Sequence, residues 1–453
     1  MNAERRKHVE ERINALRVEI SKLELELEQL SDTEQERSIP ENLPLRMDDY
    51  RRYGRQMILP GFGLPGQVKL SKANVLVVGA GGLGCPVLLY LAGAGVVVDS
   101  DTVEVSNLHR QVLHTQSRVG YSKAESAKVG MKSRNPRIQV EALNHRFTSS
   151  SLSERLDLSS FSLVVDCTDN ATTRYLLSDA CVRAQVTLVS GGAVGFEGWA
   201  GVWNLTTAPS SANEPDSLSS RGPCLRCVYP QSEYDNGGSC EEEGVFGPVT
   251  GVVGTLMAAE AVKLIVGLHD LQPRMTLYSS TSTPMFRNVK LRYRKAGCSG
   301  CGIQASQAER VRSRNVNSCG VVEDKTDQRM SAHDLRAALQ SGKPSKLIDV
   351  RTETEFGICS IPNSLNMLLF HCSSFRGLMT VSDIPHSSIS RDLSLLQNAV
   401  GKAEEVYLVC RRGNDSLVDA RALREQLGDA VNVHDLRGGL QAWSKLESSF
   451  PVY

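Results

Sequence analysis

The sequence lacks a net charge. Lys plus Arg and Asp plus Glu both number 51 among 453 residues, so the formal net charge at pH 7 is zero. Without a net field, long-range attraction to nucleic acid or to an anionic membrane surface is not expected. The N-terminus also lacks the apolar core of a signal peptide, and we expect no run of the roughly 18 apolar residues that a membrane span requires. These absences predict a soluble protein of the cytosol that acts on small molecules or other proteins, with no membrane and no direct nucleic acid.

Cysteine is sparse, with 12 residues in the whole chain, which is too few for a disulfide scaffold. In the reducing cytosol, cysteines favour metal binding or thiol chemistry, so the few that are present are candidates for function. Hydrophobic residues make up 41% and charged residues 23%, which is a globular composition, and the length suffices for two or three domains.

Apolar residues recur near the N-terminus at alternating spacings of four and three. This heptad pattern predicts a helical segment over residues 1–35, either an intermolecular coiled coil or a single amphipathic helix packed on its own domain. The residues are Val9, Ile13, Leu16, Ile20, Leu23, Leu27 and Leu30. We expect no chemistry from this segment.

Two α/β domains follow, joined by a polar linker. From Asn74 the chain reads as strand, glycine-rich turn, helix and strand, and this alternation predicts a doubly wound, Rossmann-like sheet over residues 46–302. Residues 303–329 are polar and lack an apolar period, which is typical of a linker. The runs "KLIDVR" and "EVYLVCRRGND" predict two short buried strands of a smaller α/β domain over residues 330–453.

Glycines directly follow the first apolar strand of the larger domain and precede an apolar helix. Gly79, Gly81, Gly82 and Gly84 lie in "GAGGLG", a setting in which the backbone can approach a phosphate at a helix N-terminus. Asp99 follows about 20 residues later, where a carboxylate can accept hydrogen bonds from both hydroxyls of a ribose. These features fit a nicotinamide-dependent dehydrogenase as well as an ATP-dependent enzyme.

The next segment separates these two alternatives. "DSDTVEVSNLHRQ" places Asn107 and Arg110 just after the same strand, and Lys123 follows in "GYSKAESA". Attack on an α-phosphate needs such fixed donors, and usually Mg²⁺, because charge develops on the phosphoryl oxygens and on pyrophosphate. A dehydrogenase has no such need. Asp169, beside Asn170 in "DCTDN" at another strand end, is the candidate Mg²⁺ ligand.

Four segments of the larger domain together resemble the family of ubiquitin-activating-enzyme-like adenylyltransferases of molybdopterin and thiamine biosynthesis. They are "RYGRQMILPGFGLPGQVKL", "GAGGLG", "DSDTVEVSNLHRQ" and "DCTDN". The resemblance implies ATP, Mg²⁺ and a ubiquitin-fold carrier whose C-terminal glycine carboxylate forms an acyl-adenylate. Carried over by motif, Asp99 binds the ribose, Asp169 binds Mg²⁺, and the remaining ATP-binding residues are Asn107, Arg110, Lys123 and Asn170. Arg55 in "RYGRQ" is implied to reach the nucleotide of a partner subunit, and therefore a homodimer is implied.

Two CxxC pairs, Cys224 with Cys227 and Cys298 with Cys301, lie about 70 residues apart, and four thiolates make a closed tetrahedral zinc site. A metal with four protein ligands contributes folding energy rather than catalysis. A redox-active CxxC is the competing interpretation, but two small-residue turns facing each other are more simply zinc knuckles. The same pairs occur in the family.

Cys240 lies between the two pairs, in "GGSCEEEGVFGPVTGVVG". A lone cysteine is usually inert, but this setting resembles that of the family's transfer cysteine, which links to the carrier as a thioester or an acyl disulfide. The resemblance implies a thiolate that displaces AMP from the acyl-adenylate. The three glutamates that follow oppose thiolate formation at rest.

Cys410 ends the apolar strand "VYLV" and begins the loop "CRRGND" ahead of a helical segment. Backbone amides of such a loop, the helix N-terminus and the side chains of Arg411 and Arg412 are expected to lower the pKa of the thiol and to stabilise an anionic persulfide. A cysteine that merely closes a strand is the alternative. With "LIDVRTETEF" and "LRGGLQAW", the segment from Ser331 to Tyr453 resembles a single rhodanese domain, whose nucleophile maps onto Cys410.

The pairing of the two domains resembles the family of eukaryotic adenylyltransferase and sulfurtransferase enzymes of molybdenum cofactor synthesis and tRNA wobble-uridine thiolation. It implies that a persulfide on Cys410 attacks the activated carrier, and that reductive release leaves a C-terminal thiocarboxylate. It also implies two carriers ending in Gly-Gly, the small subunit of molybdopterin synthase and a ubiquitin-related modifier, and a cysteine desulfurase as sulfur donor. A nicotinamide-dependent oxidoreductase and a non-catalytic scaffold are the rival interpretations.

One segment departs from the family pattern. "LAGAGVVVDSD", which contains Asp99, is about four residues shorter than expected, and such a deletion should shift the register of the strand or shorten the preceding helix. The resulting hypothesis is a scaffold or a rhodanese-only sulfurtransferase with impaired adenylation.

Overall fold

The structure, a computed structural model, describes most of the chain in two compact units. The described residues are 43–91, 95–148, 156–206, 221–230, 244–302, 329–366, 403–427, 431–447 and 449–451, with scattered positions between 5 and 26. The first unit comprises Met1–Gln231 and Ser239–Val311, and the second comprises Ser232–Gly238 and Arg312–Tyr453. Residues 303–328 of the predicted linker lie outside the described residues, and Arg329 already belongs to a strand.

An eight-stranded sheet forms the centre of the first unit. Its strands are β1 (Val75–Val78), β2 (Gly95–Val98), β3 (Val140–Leu143), β4 (Leu163–Asp166), β5 (Leu188–Val194), β6 (Glu197–Trp203), β7 (Arg274–Ser279) and β8 (Phe286–Lys290). Their order across the sheet is β3-β2-β1-β4-β5-β6-β7-β8. β1 to β5 are parallel, and β6 to β8 run antiparallel to their neighbours. The order of the parallel strands, which reverses at β1, confirms the predicted doubly wound fold.

Two described helices of this unit precede β1, and five lie between strands in the sequence. They are α1 (Met47–Met57), α2 (Gly63–Lys72), α3 (Gly84–Tyr90), α4 (Lys123–Arg134), α5 (Ala171–Arg183), α6 (Leu225–Val228) and α7 (Gly247–Val266). Short 3-10 turns lie at Val105–Asn107, Gln116–Arg118 and Leu158–Ser160. All four residues of β1 are buried, as expected for a central parallel strand.

Helix α7 is long and apolar enough to cross a membrane by length and composition, so the expectation that no such run exists is wrong. In this structure it is a core helix. Val249, Val253 and Met257 are buried in the same apolar cluster as β1 and α3. A Cβ on Gly254 would lie 2.5 Å from the carbonyl oxygen of Leu83, so α7 approaches the start of α3 closely.

The short segment before Asp99 does not disturb the sheet. β2 pairs with β1 from Val75↔Gly95 to Val78↔Val98, and it pairs with β3 over the same four residues. The predicted register shift is therefore wrong, whereas α3 is indeed short, with seven residues. Pairing on both edges fixes the register of β2, because a slip would break both ladders. Shortening the end of a helix costs less free energy than breaking two ladders.

A five-stranded parallel sheet forms the second unit. Its strands are β9 (Arg329–Met330), β10 (Ser345–Asp349), β11 (Leu365–Asn366), β12 (Glu405–Val409) and β13 (Asn432–Leu436), in the order β11-β10-β12-β13-β9. The helices are α8 (Ala332–Gln340), α9 (Glu353–Ile358), α10 (Asp415–Leu427) and α11 (Gly439–Leu446). Two apolar clusters take alternate residues of β12, with Val406 and Leu408 in one and Tyr407 and Val409 in the other. The sheet thus has a core on each face.

The described positions between residues 5 and 26 are helical. Four residues of the heptad seam are described, and each is about half exposed: Val9 49%, Leu16 50%, Ile20 53% and Leu23 57%. A helix packed on its own domain would bury these side chains, so the structure disfavours that alternative for the described part of the segment.

Replacing Gly254 by alanine is expected to lower the free energy of unfolding by about 1–3 kcal/mol, the usual cost of overpacking. The added Cβ would lie 2.4 Å from Cγ of Pro86. Gly251→Ala is the matched control, because a Cβ at that position of α7 meets nothing within 4 Å. It should be neutral or stabilising, since alanine is the better helix former by about 1 kcal/mol. Denaturant unfolding measures both variants, and equal stability would contradict the packing of α7.

Candidate functional site

The glycine loop between β1 and α3 lies at the carboxyl end of the parallel strands. Gly79 adopts φ +99°, and a Cβ on it would lie 2.6 Å from the carbonyl oxygen of Cys167. A Cβ on Gly84 would lie 1.9 Å from the carbonyl oxygen of Gly79. Both positions require glycine, because a side chain would push the loop away from the end of β4. Gly81 and Gly82 complete the loop.

Asp99 lies beside this loop, at the end of β2. Its Oδ2 accepts a hydrogen bond from the amide of Ala80 at 2.7 Å, and its Oδ1 accepts one from the amide of Asp101 at 2.8 Å. Burial raises the pKa of Asp99, while Lys123 and the two amides oppose the rise. The carboxylate therefore links the end of β2 to the glycine loop. The sequence predicts that this carboxylate binds a ribose.

Lys123 is a buried cation at the start of α4. Its Nζ donates to Oδ2 of Asp101 at 2.9 Å. Burial alone would lower the pKa of Lys123, but the charges of Asp99, Asp101 and Asp169 outweigh burial and leave the pKa raised. The lysine therefore stays protonated, and it interacts with carboxylates of two segments, Asp99 and Asp101 after β2 and Asp169 after β4.

Asn107 and Arg110 are neighbours in the segment that follows β2. Asn107 is buried in a 3-10 turn, and its Oδ1 accepts a hydrogen bond from Nη2 of Arg110 at 3.0 Å. Nη1 of Arg110 donates to the carbonyl oxygen of Ser106 at 3.2 Å. The structure thus brings these two predicted phosphate-binding residues into direct contact.

Asp169 and Asn170 follow β4 and are both exposed. Asn170 is the N-cap of α5, where its side chain accepts a hydrogen bond from the amide of Thr173 at 2.7 Å. An exposed carboxylate at the carboxyl edge of the sheet fits a hard cation such as Mg²⁺, which prefers oxygen ligands. The charge of Asp169 contributes to the raised pKa of Lys123.

Sequence reasoning missed the pair that holds this turn. The buried carboxylate of Asp166 accepts hydrogen bonds from Oγ1 of Thr168 at 2.6 Å and from Oγ of Ser190 at 2.7 Å. Arg174 forms an ion pair with it at 3.3 Å and also donates to the carbonyl oxygen of Thr168 at 2.8 Å. An aspartate closing the apolar run "LVVD" was the signal that could have identified it.

His114 was also missed, and no local signal marks it. One ring nitrogen lies 2.9 Å from the carbonyl oxygen of Ala80, and the other lies 2.8 Å from Oγ of Ser126. Burial lowers its pKa, so the neutral ring bridges the glycine loop and α4.

The structure tests neither of two further predicted catalytic residues. Arg55 is exposed in the last turn of α1, and its contact with a partner subunit stays a prediction. Cys240 lies outside the described residues, so its role also stays a prediction.

The four cysteines of the two CxxC pairs meet in one buried cluster. Sγ of Cys224 lies 3.8 Å from that of Cys227 and 3.6 Å from that of Cys298, and Sγ of Cys227 lies 3.3 Å from that of Cys301. All four sulfurs lie within 4.8 Å of one another. Sulfurs bound tetrahedrally to zinc at about 2.3 Å would be about 3.8 Å apart, so the cluster fits a metal ion of this kind.

Cys410 follows β12 directly and is buried. The amide of Gly413 donates to its Sγ at 3.0 Å, and α10 begins at Asp415 just beyond the loop. Burial raises the pKa of the thiol, and the Asp415 carboxylate raises it further. The Ser416 side chain and the amides of Ser416 and Arg412 lower the pKa but do not outweigh burial.

The expectation that this loop lowers the pKa of the free thiol is therefore wrong. A sequence does not show how completely a sulfur is removed from water, and desolvation disfavours the thiolate. The amides still provide donors for an anionic sulfur once it has formed.

Comparisons with known proteins cover both units. The ThiF family model matches residues 53–300, and the rhodanese-like domain model matches residues 331–446. The adenylyltransferase and sulfurtransferase MOCS3 of Drosophila yakuba is 38% identical over 424 residues, which cover 90% of this chain and 86% of that protein. The adenylyltransferase and sulfurtransferase uba4 of Emericella nidulans is 38% identical over 435 residues, which cover 90% and 88%. The crystal structure of E. coli MccB with MccA-N7isoASN is 23% identical with a TM-score of 0.45, over 56% of this chain and 74% of that one.

Replacing Ser416 by alanine is expected to raise the pKa of Cys410 further, because the hydroxyl that lowers this pKa is removed. Only the thiolate is alkylated, so the rate of reaction of Cys410 with iodoacetamide, followed by peptide mass spectrometry, should rise at a higher pH than in the unchanged protein. Ser341→Ala, which removes a hydroxyl bonded to the carbonyl oxygen of Ala338, is the control. Superimposable rate profiles for all three proteins would contradict the role of Ser416.

Proposed function

We propose, since the chain belongs to the ThiF family and is a bifunctional adenylyltransferase and sulfurtransferase, that it activates the C-terminal glycine of ubiquitin-like sulfur carriers and converts it to a thiocarboxylate. One observation supports the first half of the proposal, the activation of the carrier by ATP. Lys123 is buried and protonated, with the charges of Asp99, Asp101 and Asp169 acting on it. A fixed cation at the carboxyl edge of a parallel sheet supports phosphate binding at the topological switch point.

In this proposal the groups around the glycine loop each bind a different part of the ATP molecule. Asp99 holds the ribose hydroxyls, while Asn107, Arg110 and Lys123 hold the phosphate oxygens. Asp169 would hold Mg²⁺, which supplies charge stabilisation on the phosphoryl oxygens and on departing pyrophosphate. The carrier carboxylate attacks the α-phosphorus, the bond to pyrophosphate breaks, and the product is an acyl-adenylate.

Impaired adenylation is not favoured. The shortened segment leaves β2 in register with β1 and β3, and Asp99 still reaches the amide of Ala80. A dehydrogenase is not favoured either, because the relatives are named adenylyltransferase and sulfurtransferase.

Sulfur transfer is assigned to Cys410. Its persulfide attacks the acyl carbon of the adenylate, AMP leaves, and an acyl disulfide joins the carrier to Cys410. A thiol reductant then cleaves the sulfur–sulfur bond, which releases the carrier thiocarboxylate and a disulfide of the reductant with Cys410. Cys240 is the proposed alternative acceptor of the acyl group before the sulfur step.

The partners belong to the same proposal. The carriers are the small subunit of molybdopterin synthase and a ubiquitin-related modifier, so that the product serves molybdenum cofactor synthesis and tRNA wobble-uridine 2-thiolation. A cysteine desulfurase supplies the sulfur, and Arg55 acts across a homodimer. We place the protein in the cytosol.

Zinc in the four-cysteine cluster completes the proposal. Four buried thiolates leave no open coordination position, so the metal stabilises the first unit and takes no part in the reaction.

Carrier-dependent exchange of labelled pyrophosphate into ATP tests the first half of the proposal. Exchange should be lost in Asp169→Ala, because the metal ligand is removed, and should survive in Cys410→Ala, because sulfur transfer comes later. Asp157→Ala is the matched control, since it removes a carboxylate whose partner is Ser159 in a turn elsewhere in the unit. No exchange in the unchanged protein, with carrier bound and Cys410 still sulfurated, would restore the rhodanese-only alternative.

Cys224→Ser is expected to abolish the binding of about one zinc per chain and to lower the thermal midpoint of unfolding, because a structural zinc site contributes folding energy. Cys181→Ser changes another buried cysteine of the same unit that is outside the cluster, and it should keep its zinc. Elemental analysis and thermal unfolding give both readouts. Equal zinc content in the two variants would overturn the assignment.

A further inference from the structure

We propose that Arg329 is a positioning residue for Cys410, which holds the Cys410–Asp415 loop so that its amides remain directed at the sulfur. The inference rests on the proposed role of Cys410 in sulfur transfer. Arg329 lies at the start of β9, more than 80 positions before the loop in the sequence, and its side chain contacts the carbonyl oxygen of Gly413 in that loop.

The contact is direct. Nη2 of Arg329 donates to the carbonyl oxygen of Gly413 at 2.5 Å. The amide of the same glycine donates to Sγ of Cys410 at 3.0 Å. Because Gly413 adopts φ +85° and has no side chain to restrict it, an anchor on its carbonyl limits the rotation of the residue whose N–H reaches the sulfur.

An ion pair holds the guanidinium in place. Nε and Nη2 of Arg329 donate to Oδ2 of Asp435 at 3.0 and 2.8 Å, and the two side chains are 1% and 0% exposed. Arginine suits this task because its planar fork can bond a carboxylate and a carbonyl at the same time in fixed directions. A lysine ammonium at this position would keep the positive charge but lacks the planar group that bonds both the carboxylate and the carbonyl.

Other carbonyls of the loop are anchored in the same manner. The carbonyl oxygen of Cys410 accepts from the amide of Leu440 at 2.9 Å, and that of Arg411 accepts from the amide of Gln441 at 3.2 Å. Both donors lie in the first turn of α11. Carbonyls held by these donors cannot turn their negative ends toward an anionic sulfur, so the loop amides are left to stabilise the charge. Arg329 supplies the one of these three anchors that a side-chain substitution can remove.

A second buried pair in the same unit lacks this contact and provides a matched control. Nη2 of Arg351 lies 2.6 Å from Oδ2 of Asp349, with side chains 2% and 0% exposed. Its guanidinium donates to the carbonyl oxygens of Glu355 at 3.2 Å and Cys359 at 2.6 Å. Loss of either arginine leaves a buried aspartate uncompensated, but only the loss of Arg329 frees Gly413.

The test compares Arg329→Met, Arg329→Lys and Arg351→Met in the full chain. Two readouts are the pH profile of Cys410 alkylation by iodoacetamide and kcat/KM for sulfur transfer from thiosulfate to cyanide, with thermal unfolding as the measure of stability. In Arg329→Met we expect the alkylation profile to move to higher pH, with a rate at neutral pH about tenfold lower, which corresponds to about one pKa unit, and a similar loss in kcat/KM. Arg329→Lys should lie between Arg329→Met and the unchanged protein, and Arg351→Met should lose stability while its Cys410 keeps the unchanged profile.

Two results would overturn the inference. One is an unchanged alkylation profile and unchanged kcat/KM in the Arg329 variants. The other is an equal shift in Arg351→Met, which would show that any loss of a buried pair has this effect. If Arg329→Met does not fold, Arg329→Lys decides alone, because it retains a charge beside Asp435. The alkylation profile involves neither carrier nor ATP, so it remains decisive even if the unchanged protein transfers no sulfur and the proposed function fails.

Discussion

The pairing of β1 with β2 on one side and with β4 on the other places the glycine loop, Asp99 and Asp169 of the proposed nucleotide site at one edge of the sheet. The ladder continues beyond the strands, since the amide of Gly79 donates to the carbonyl oxygen of Val98 at 2.9 Å and the amide of Cys167 donates to that of Val78 at 2.8 Å. The segments that leave these three strands therefore begin at adjacent points of one edge. They supply the backbone amides of the glycine loop, the carboxylate of Asp99 and the carboxylate of Asp169. If this pairing slipped by one residue, the three segments would separate, and this is why the preserved register of β2 matters more than the length of α3.

The second unit uses the same geometry for a different chemistry. Its proposed nucleophile, Cys410, follows the central strand β12, and Asp435 in the adjacent strand β13 forms the ion pair with Arg329. Parallel strands expose the start of a helix at their carboxyl edge, and both units use that edge to present backbone amides to an anion. In the first unit the predicted anion is a phosphate, and in the second it is a sulfur.

The parts of the site that the sequence could predict are those encoded within short segments. The glycine loop, Asp99 and the two CxxC pairs are recognisable because residue type and spacing within short segments define them, although the glycines and Asp99 alone fit a dehydrogenase as well as an ATP-dependent enzyme. The raised pKa of Cys410 could not be predicted, since it depends on burial by elements distant in the chain. The contacts of Arg329 could not be predicted for the same reason, because its partners Gly413 and Asp435 are remote in sequence. The sequence left open whether the short segment shifts β2 or shortens α3, because the two neighbouring ladders that fix the strand are not visible in a single segment.

The central claim is that one chain both activates a carrier and replaces an oxygen of its C-terminal carboxylate by sulfur. Mass spectrometry of a carrier ending in Gly-Gly, after incubation with the protein, ATP, Mg²⁺, a sulfur donor and a thiol reductant, tests this claim most directly. The account predicts a carrier whose mass has increased by the replacement of one oxygen by one sulfur, and no such product when ATP is omitted or when Cys410 is changed to alanine. An unchanged carrier in the complete mixture, or a thiocarboxylate that forms equally well without Cys410, would contradict it.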